Sequence, residues 1–194
     1  ILDCAAAFSH WRPNVGYVAL TRSGTDKYND SVLPVFVADS GRIKKIETSL
    51  GTGESYFRAL NQLGYRLPEG GRIVIFGCGK VGYGLLVYAR KNGLRPTVVT
   101  ELHSVTDSVR NLADRIIDCN DIEEVAKAIS SADAVVTATG VKDAVSHPRL
   151  TEALLDSSAL IANMGVEDEY GPGLPAERAL REKQPLNFIL EEPT

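Results

Sequence analysis

The hydrophobic pattern of the chain changes near residue 51. Before that point, short apolar runs at residues 16–20 and 33–37 are separated by turn residues, which is typical of β-strands. Two such runs bury too little surface to form a core of their own. The pattern therefore predicts that residues 1–50 are the remnant of a second, incomplete domain together with its hinge.

Beyond residue 50 the periodicity indicates alternating helices and strands. Residues 54–65 carry apolar side chains at helical spacing, and a Pro-Gly turn follows them. The predicted strands are residues 72–76, 97–100, 115–117, 134–138, 159–162 and 187–190. The predicted helices between them are residues 81–92, 104–112, 122–130 and 147–155. This alternation predicts an α/β fold, a Rossmann-like, doubly wound parallel sheet, over residues 51–194.

Composition narrows the classes of partner. The formal net charge is -4, and the short basic run at residues 42–45 is expected to be a solvated loop, so nucleic acid is not an expected partner. No segment approaches the roughly 20 apolar residues that span a bilayer, so no membrane partner is expected. Three cysteines without CxxC spacing argue against a zinc site and indicate a reducing, cytoplasmic setting. Because the chain opens on Ile1, we expect it to be a piece of a longer protein.

A glycine pattern joins the first predicted strand of this region to the helix that follows it. Gly77, Gly79 and Gly82 form a GxGxxG motif, with Lys80 and Val81 inside it. The first glycine permits a tight turn, the second lets the backbone approach a pyrophosphate, and the third lets the helix pack on the strand. The helix N-terminus then offers N–H groups to the phosphates. The motif in this context predicts a dinucleotide cofactor.

A carboxylate stands at the end of the next predicted strand. Glu101 follows the glycine motif by about 20 residues, the distance at which an acid accepts the adenosine ribose hydroxyls. A negative charge there disfavours the additional phosphate of NADP. We therefore predict NAD as the cofactor.

Two further segments follow predicted strands at the edge where such sheets bind ligand. Thr137, Ala138, Thr139 and Gly140 come after one strand, and Asn163 ends the next. The carboxyl ends of parallel strands share one edge of a sheet. We therefore predict that these residues face the nicotinamide half of the cofactor.

The order of these segments resembles that of the S-adenosylhomocysteine hydrolase family. The likeness covers nearly the whole chain and is carried by residues 50–55, 77–84, 99–101, 137–140 and 161–165. In that family a tightly held NAD oxidises a ribose hydroxyl of the substrate. The resemblance implies NAD binding here, with Thr21 and Ser23 beside the nicotinamide and Asn163 on the cofactor side.

The departures from the family concern its proton-transfer groups. By this resemblance, the family's first aspartate falls on Cys4, its glutamate on Leu20 and its lysine on Ile43. Its second aspartate falls on Glu47, its asparagine on Thr48 and its histidine on Val166. A slip of one residue in the alignment would bring Lys44 or Lys45 near the lysine position. Leucine and valine cannot transfer protons, and the loss of each acid or base forfeits roughly 10²–10⁴ in rate. We therefore predict no catalytic residues for the hydrolase reaction.

Other reactive side chains are expected to be structural. Cys78 inside the glycine motif is interpreted as a small filler residue, and Cys119 as a packed thiol. His103 is expected to be exposed near a helix start. The acids at residues 167–169 are interpreted as a solvated loop and not as a metal site.

The sequence thus predicts an NAD-binding protein that has lost hydrolase activity and serves in sensing, in a structural role or in redox chemistry on another substrate. Two alternatives stay open. One is an active enzyme of the family completed by absent segments, and the other is a regulatory NAD-sensing domain. A nucleoside-like ligand and a homo-oligomeric state also stay open.

Overall fold

The computed structural model describes residues 1–174, so the predicted strand at 187–190 lies outside the described residues. Within the chain, two compact units can be distinguished, one over Ile1–Thr48 and one beginning at Ser49. Among residues 1–174 no helix has both the length and the apolar character needed to cross a bilayer.

The first unit is built on a small parallel sheet. Its strands, in the order β1-β2-β3, are β1 (Leu2–Asp3), β2 (Tyr17–Ala19) and β3 (Val35–Val37). Single 3₁₀ turns at Thr25–Tyr28 and Ala38–Ser40 precede helix α1 (Arg42–Ile46). The core is formed by Ala6, Tyr17, Ala19 and Tyr28.

Two features of this unit differ from the sequence prediction. The basic run at residues 42–45 was expected to be a loop, but it lies in α1, and the prediction of a loop is wrong. This helix has no buried residue, so it leaves no apolar periodicity in the sequence. Strand β1 has only two residues, which is too short for any pattern to reveal.

The second unit contains a five-stranded, fully parallel sheet in the order β6-β5-β4-β7-β8. Its strands are β4 (Arg72–Phe76), β5 (Arg95–Thr100), β6 (Arg115–Asp118), β7 (Ala134–Thr137) and β8 (Leu160–Asn163). A π-helical turn at Glu47–Gly51 precedes the first of its helices. The helices are α2 (Thr52–Gln62), α3 (Lys80–Lys91), α4 (Asp107–Leu112), α5 (Ile122–Ser130) and α6 (Pro148–Asp156). A doubly wound α/β sheet, as predicted, is confirmed.

The sheet has a hydrophobic layer on each face. Alternate residues of β4 belong to the two layers. Ile73 and Ile75 pack in the layer of α2 and α3, and Val74 and Phe76 pack in the layer of α5 and α6. Because both faces are covered, the central strands are continuous apolar runs instead of alternating ones. This is why the sequence pattern located β4 at its observed bounds.

Local capping explains where several helices begin. The side chains of Thr106, Asp121 and His147 accept hydrogen bonds from backbone N–H groups in the first turns of α4, α5 and α6. The helix predicted over residues 104–112 begins later, because a 3₁₀ turn at Leu102–Ser104 precedes the capping Thr106. Helix α3 differs, since it follows Gly79 and has no side-chain cap.

Candidate functional site

The strand order creates a switch point at the carboxyl edge of the second unit. The chain leaves β4 for β5 on one side and returns later as β7 on the other side. In sheets of this kind, ligands bind where the order reverses, outside the carboxyl ends of the two strands. The two loops there approach closely, because a Cβ placed on Gly77 would lie 2.7 Å from the carbonyl oxygen of Ala138.

The three motif glycines occupy different steric situations. Gly77 has φ of 90°, a conformation that other residues rarely adopt. A Cβ on Gly82 would lie 2.1 Å from the carbonyl oxygen of Gly77, so the helix packs directly on the turn. Gly79 has no atom of the described residues within 4 Å of its Cβ position. The space in front of Gly79 is therefore open.

This open space lies at the start of α3, a helix of 12 residues that begins at Lys80. Gly79 is the N-cap residue and supplies no side chain to the first turn. The N–H groups and the positive end of the helix dipole make such a start suitable for a phosphate. The glycine loop therefore fits the pyrophosphate of a dinucleotide.

Glu101 lies one strand away from the glycine loop, directly after β5. Its side chain is 64% exposed, and its Oε2 atom lies 3.4 Å from Nε2 of His103, which is also exposed. An exposed carboxylate at this position is accessible to the hydroxyls of a ribose.

Side-chain contacts connect the glycine loop to the segment of Glu101. The Sγ atom of Cys78 lies 3.5 Å from Thr100 Oγ1 and 3.3 Å from Ser104 Oγ. Ser104 Oγ in turn donates to the carbonyl oxygen of Glu101 at 2.7 Å. Cys78 therefore holds the two loops together as a small packed side chain. Cys119 is also partly packed, and burial together with the nearby Asp118 and Glu101 charges raises the pKa of its thiol.

Thr137 and Asn163 meet at the ends of β7 and β8. Thr137 is fully buried, and its hydroxyl donates to Asn163 Oδ1 at 3.0 Å. The same oxygen accepts the N–H of Gly165 at 3.0 Å, and Asn163 Nδ2 donates to the carbonyl oxygen of Glu167 at 2.6 Å. The Asn163 side chain thus stabilises the turn after β8. Asn163 is nevertheless exposed to solvent.

Beneath the loop after β7 lies a residue that the sequence analysis assigned wrongly. Glu169 is 0% exposed, and its carboxylate accepts hydrogen bonds from Thr139 and Gly140. The interpretation of residues 167–169 as a solvated loop is therefore wrong for Glu169, although Glu167 and Asp168 are exposed. The chain returns after β8 to place this side chain under the loop, and no local pattern of the three acids indicates which one is buried.

The remaining predicted cofactor residues lie in the first unit. Thr21 is partly buried, and its hydroxyl oxygen accepts the N–H of Ala5 at 3.3 Å. Ser23 is exposed two residues further on.

Three of the positions that the resemblance assigns to the family's proton-transfer groups carry apolar side chains. Leu20, Ile43 and Val166 are exposed by 39%, 83% and 86%. Lys44, the neighbour of the lysine position, forms an ion pair with Glu47 at 2.7 Å. The hydrogen bond from Lys44 is the largest influence on the pKa of Glu47, which it lowers.

Solved structures share the fold at low sequence identity. A dipicolinate synthase subunit from Bacillus halodurans has a TM-score of 0.61 at 12% identity, over 86% of this chain and 55% of that one. A putative D-isomer specific 2-hydroxyacid dehydrogenase, NAD-binding, from Polaromonas sp. has a TM-score of 0.54 at 15% identity, over 93% of this chain and 64% of that one.

Sequence comparison identifies the family. Adenosylhomocysteinase from Pyrobaculum aerophilum is 28% identical over 202 residues, which cover 100% of this chain and 44% of that protein. The chain therefore spans less than half the length of this curated relative. The model of the S-adenosyl-L-homocysteine hydrolase NAD binding domain matches residues 49–170, the region that holds the switch point and all its loops. The prediction of NAD as the cofactor is confirmed at the level of the family. The chain belongs to the family of S-adenosyl-L-homocysteine hydrolase NAD-binding domains.

Proposed function

We propose that this chain holds NAD at the carboxyl edge of its five-stranded sheet and does not hydrolyse S-adenosylhomocysteine. One observation carries the binding half of the proposal. Gly79 faces open space at the uncapped start of α3, and Glu101 follows the adjacent strand. A pyrophosphate needs an open helix start, and an adenosine ribose needs a carboxylate at the end of the next strand, which is the spacing seen here.

The glycine loop binds the pyrophosphate in this proposal. Gly77 turns the backbone, Gly79 leaves room for the phosphates, and Gly82 brings the helix start close. Lys80 and Val81 contribute backbone N–H groups of the first turn. Glu101 accepts the ribose hydroxyls, which its exposure allows.

The nicotinamide half is assigned to the other side of the switch point. The loop of Thr137, Ala138, Thr139 and Gly140 follows β7, and Asn163 ends the neighbouring β8. For Thr21 and Ser23, a role in cofactor binding stays a prediction from the family resemblance. When bound, NAD supplies a hydride-accepting ring, while the residues of the chain orient it.

The absence of hydrolysis rests on side-chain chemistry. The hydrolase reaction requires groups that remove and return protons, and leucine, isoleucine and valine have no ionisable atoms. These residues stand at Leu20, Ile43 and Val166. A bound NAD would therefore lack an acid or base at these three positions, which the family's full reaction needs.

Calorimetric titration of the chain with NAD, NADP and adenosine tests the binding half. We expect the dissociation constant of NAD to be lower than that of NADP by about tenfold or more, because Glu101 repels the additional phosphate. Glu101→Ala should remove this preference. Glu152→Ala is the matched control, since that carboxylate is similarly exposed, at 63%, and it should leave the preference intact. A native chain that binds NADP as well as NAD contradicts the role of Glu101.

An activity assay tests the other half. The NAD-loaded chain is incubated with S-adenosylhomocysteine, and the released homocysteine thiol is measured. We expect no release above the blank. Thiol release that requires NAD would contradict the proposed loss of hydrolase activity and would favour an active enzyme.

A further inference from the structure

A fully buried carboxylate supports the loop after β7 from below. Oε2 of Glu169 accepts the N–H of Thr139 at 2.9 Å and the Thr139 hydroxyl at 2.7 Å. Oε1 accepts the N–H of Gly140 at 2.7 Å. Both oxygens act as acceptors, as those of an ionised carboxylate do. Charge-assisted hydrogen bonds of this kind are among the stronger ones in proteins.

The surroundings of Glu169 fix the position of its carboxylate. A Cβ placed on Gly165 would lie 1.8 Å from Glu169 Oε1, so only a glycine leaves room for it. The backbone of Glu169 is tied down as well, because its carbonyl oxygen accepts the N–H of Val145 at 2.8 Å. The carboxylate thus has one location under the loop.

This arrangement determines which groups the loop can present to a ligand. The N–H of Ala138 donates to Phe76, and the N–H of Val141 donates to Thr139 Oγ1 at 3.0 Å. With Thr139 and Gly140 bound to Glu169, four consecutive N–H groups have acceptors within the chain. These four N–H groups are therefore not available to a ligand above the loop, and the backbone groups left to bind it are carbonyl oxygens, which accept hydrogen bonds but cannot donate them.

We infer that Glu169 is the positioning residue of the nicotinamide half of the site. It holds the loop of Thr139 and Gly140 as a hydrogen-bond acceptor surface, which suits a carboxamide NH₂ or ribose hydroxyls and disfavours a phosphate. The inference rests on the proposed function. The strand order supports the assignment to this half. The glycine loop follows β4 and Glu101 follows β5, whereas β7 lies on the opposite side of β4.

Separate titrations with NAD and ADP test the inference, since ADP carries only the adenosine and pyrophosphate half. In the full chain, Glu169→Gln replaces one acceptor oxygen by an NH₂ group that opposes an N–H of the loop. We expect the dissociation constant of NAD to rise about tenfold or more while that of ADP is unchanged. Thr139→Val, which removes the hydroxyl donor, should change the same ratio in the same direction.

Tyr170→Phe is the control for a general loss of stability. It removes a buried hydroxyl next to Glu169 that contacts the carbonyl oxygens of Val135 and Ala162. It should lower the melting temperature and leave the ratio of NAD to ADP affinity unchanged. Equal weakening of NAD and ADP by Glu169→Gln, or no weakening of either, would overturn the inference.

Amide hydrogen exchange separates this inference from the proposed function. In the unliganded native chain, the N–H groups of Thr139 and Gly140 should exchange slowly, and in Glu169→Gln they should exchange at least about tenfold faster. If the native chain binds neither NAD nor ADP, the proposed function fails and exchange alone decides whether Glu169 holds the loop. Exchange at these two amides that is unchanged by Glu169→Gln would overturn the inference in either case.

Discussion

Two buried tyrosines of the second unit differ in whether their hydroxyl has an acceptor. The hydroxyl of Tyr170 lies 3.2 Å from the carbonyl oxygen of Val135 and 3.0 Å from that of Ala162. The hydroxyl of Tyr56 has no hydrogen-bond partner among residues 1–174. Burial raises the pKa of both phenols. A buried hydroxyl without an acceptor loses its hydration without compensation.

We therefore predict opposite effects for two identical substitutions. Tyr170→Phe should lower the free energy of unfolding by about 0.5–1.5 kcal/mol, because a hydrogen bond is lost. Tyr56→Phe should leave this free energy unchanged or raise it by up to about 1 kcal/mol, because no hydrogen bond is lost and a polar group leaves the core. Urea unfolding of both variants measures the difference. A larger loss for Tyr56→Phe than for Tyr170→Phe would contradict the assignment.

At the scale of elements, two glycines set the contact between α2 and α3. A Cβ placed on Gly53 would lie 2.3 Å from backbone atoms of Gly84. A Cβ placed on Gly84 would lie 1.6 Å from the carbonyl oxygen of Ser49. The obstructing atoms are backbone atoms, so the helices would have to separate to admit a methyl group. The start of α3 carries the proposed phosphate site, so this contact also supports the ligand-binding edge.

We predict that Gly84→Ala lowers the free energy of unfolding by about 3 kcal/mol or more, the upper range for overpacking. Gly51→Ala is the matched control. Gly51 has helical φ and ψ of −65° and −42°, and apart from its chain neighbours no residue among 1–174 lies within 4 Å of its Cβ position. It should be neutral or slightly stabilising. Thermal unfolding compares the two, and equal melting temperatures would contradict the close helix contact.

The core of the first unit contains a hydrogen-bonded acid and phenol. Tyr28 donates to Asp3 Oδ2, and the N–H of Phe8 donates to the same oxygen at 2.9 Å. Burial, then the hydrogen bond to Asp3, raises the pKa of Tyr28 to about 12. For Asp3, burial is the largest single influence and acts to raise the pKa. The hydrogen bonds from Tyr28, Phe8 and the backbone of Cys4 and Ala7 together outweigh burial, so that the net pKa is lowered.

We predict that the first unit loses stability at both ends of the pH scale. The unfolded Tyr28 titrates near pH 10, so the stability due to its raised pKa is complete below pH 10 and is lost as pH rises toward 12. The stability due to the lowered pKa of Asp3 is present above about pH 4 and is lost at lower pH. Trp11, the single tryptophan of the chain, lies in this unit, and its fluorescence reports the unfolding.

Tyr28→Phe provides the control for this prediction. It removes the titrating phenol and the donor to Asp3, so stability between pH 10 and 12 should fall less steeply than in the native chain. Equal slopes in native chain and variant would contradict the role of Tyr28.

Helices and strands could be predicted from the sequence where the spacing of apolar residues follows the burial of their side chains. Strand β4 and helices α3 and α5 were predicted within one residue, since their apolar positions face a covered sheet. Prediction failed for β1 and α1, because two residues carry no period and a helix without a buried residue carries no apolar stripe. The glycine motif and Glu101 could be proposed from the sequence because their spacing is fixed by a local turn and one strand. Glu169 could not, because its partners lie 29 and 30 residues away in the chain.

For the molecule as a whole, we propose that the dinucleotide-binding edge is retained, while three positions that the family resemblance assigns to proton transfer carry apolar side chains. The five-stranded sheet, the switch point and the carboxylate after β5 are all present. On that resemblance, the three apolar positions are Leu20, Ile43 and Val166. We therefore expect the chain to bind its cofactor without turning over S-adenosylhomocysteine.

The most direct measurement is calorimetric titration of Gly79→Ala with NAD, beside the native chain and Gly51→Ala. Gly79 has φ of −65° and open space at its Cβ position, so an alanine fits the fold and the methyl group projects only into the proposed pyrophosphate site. We predict an unchanged melting temperature and an NAD affinity that falls about tenfold or more, with native affinity in Gly51→Ala. Native NAD affinity in a folded Gly79→Ala would contradict the claim that NAD lies across this edge.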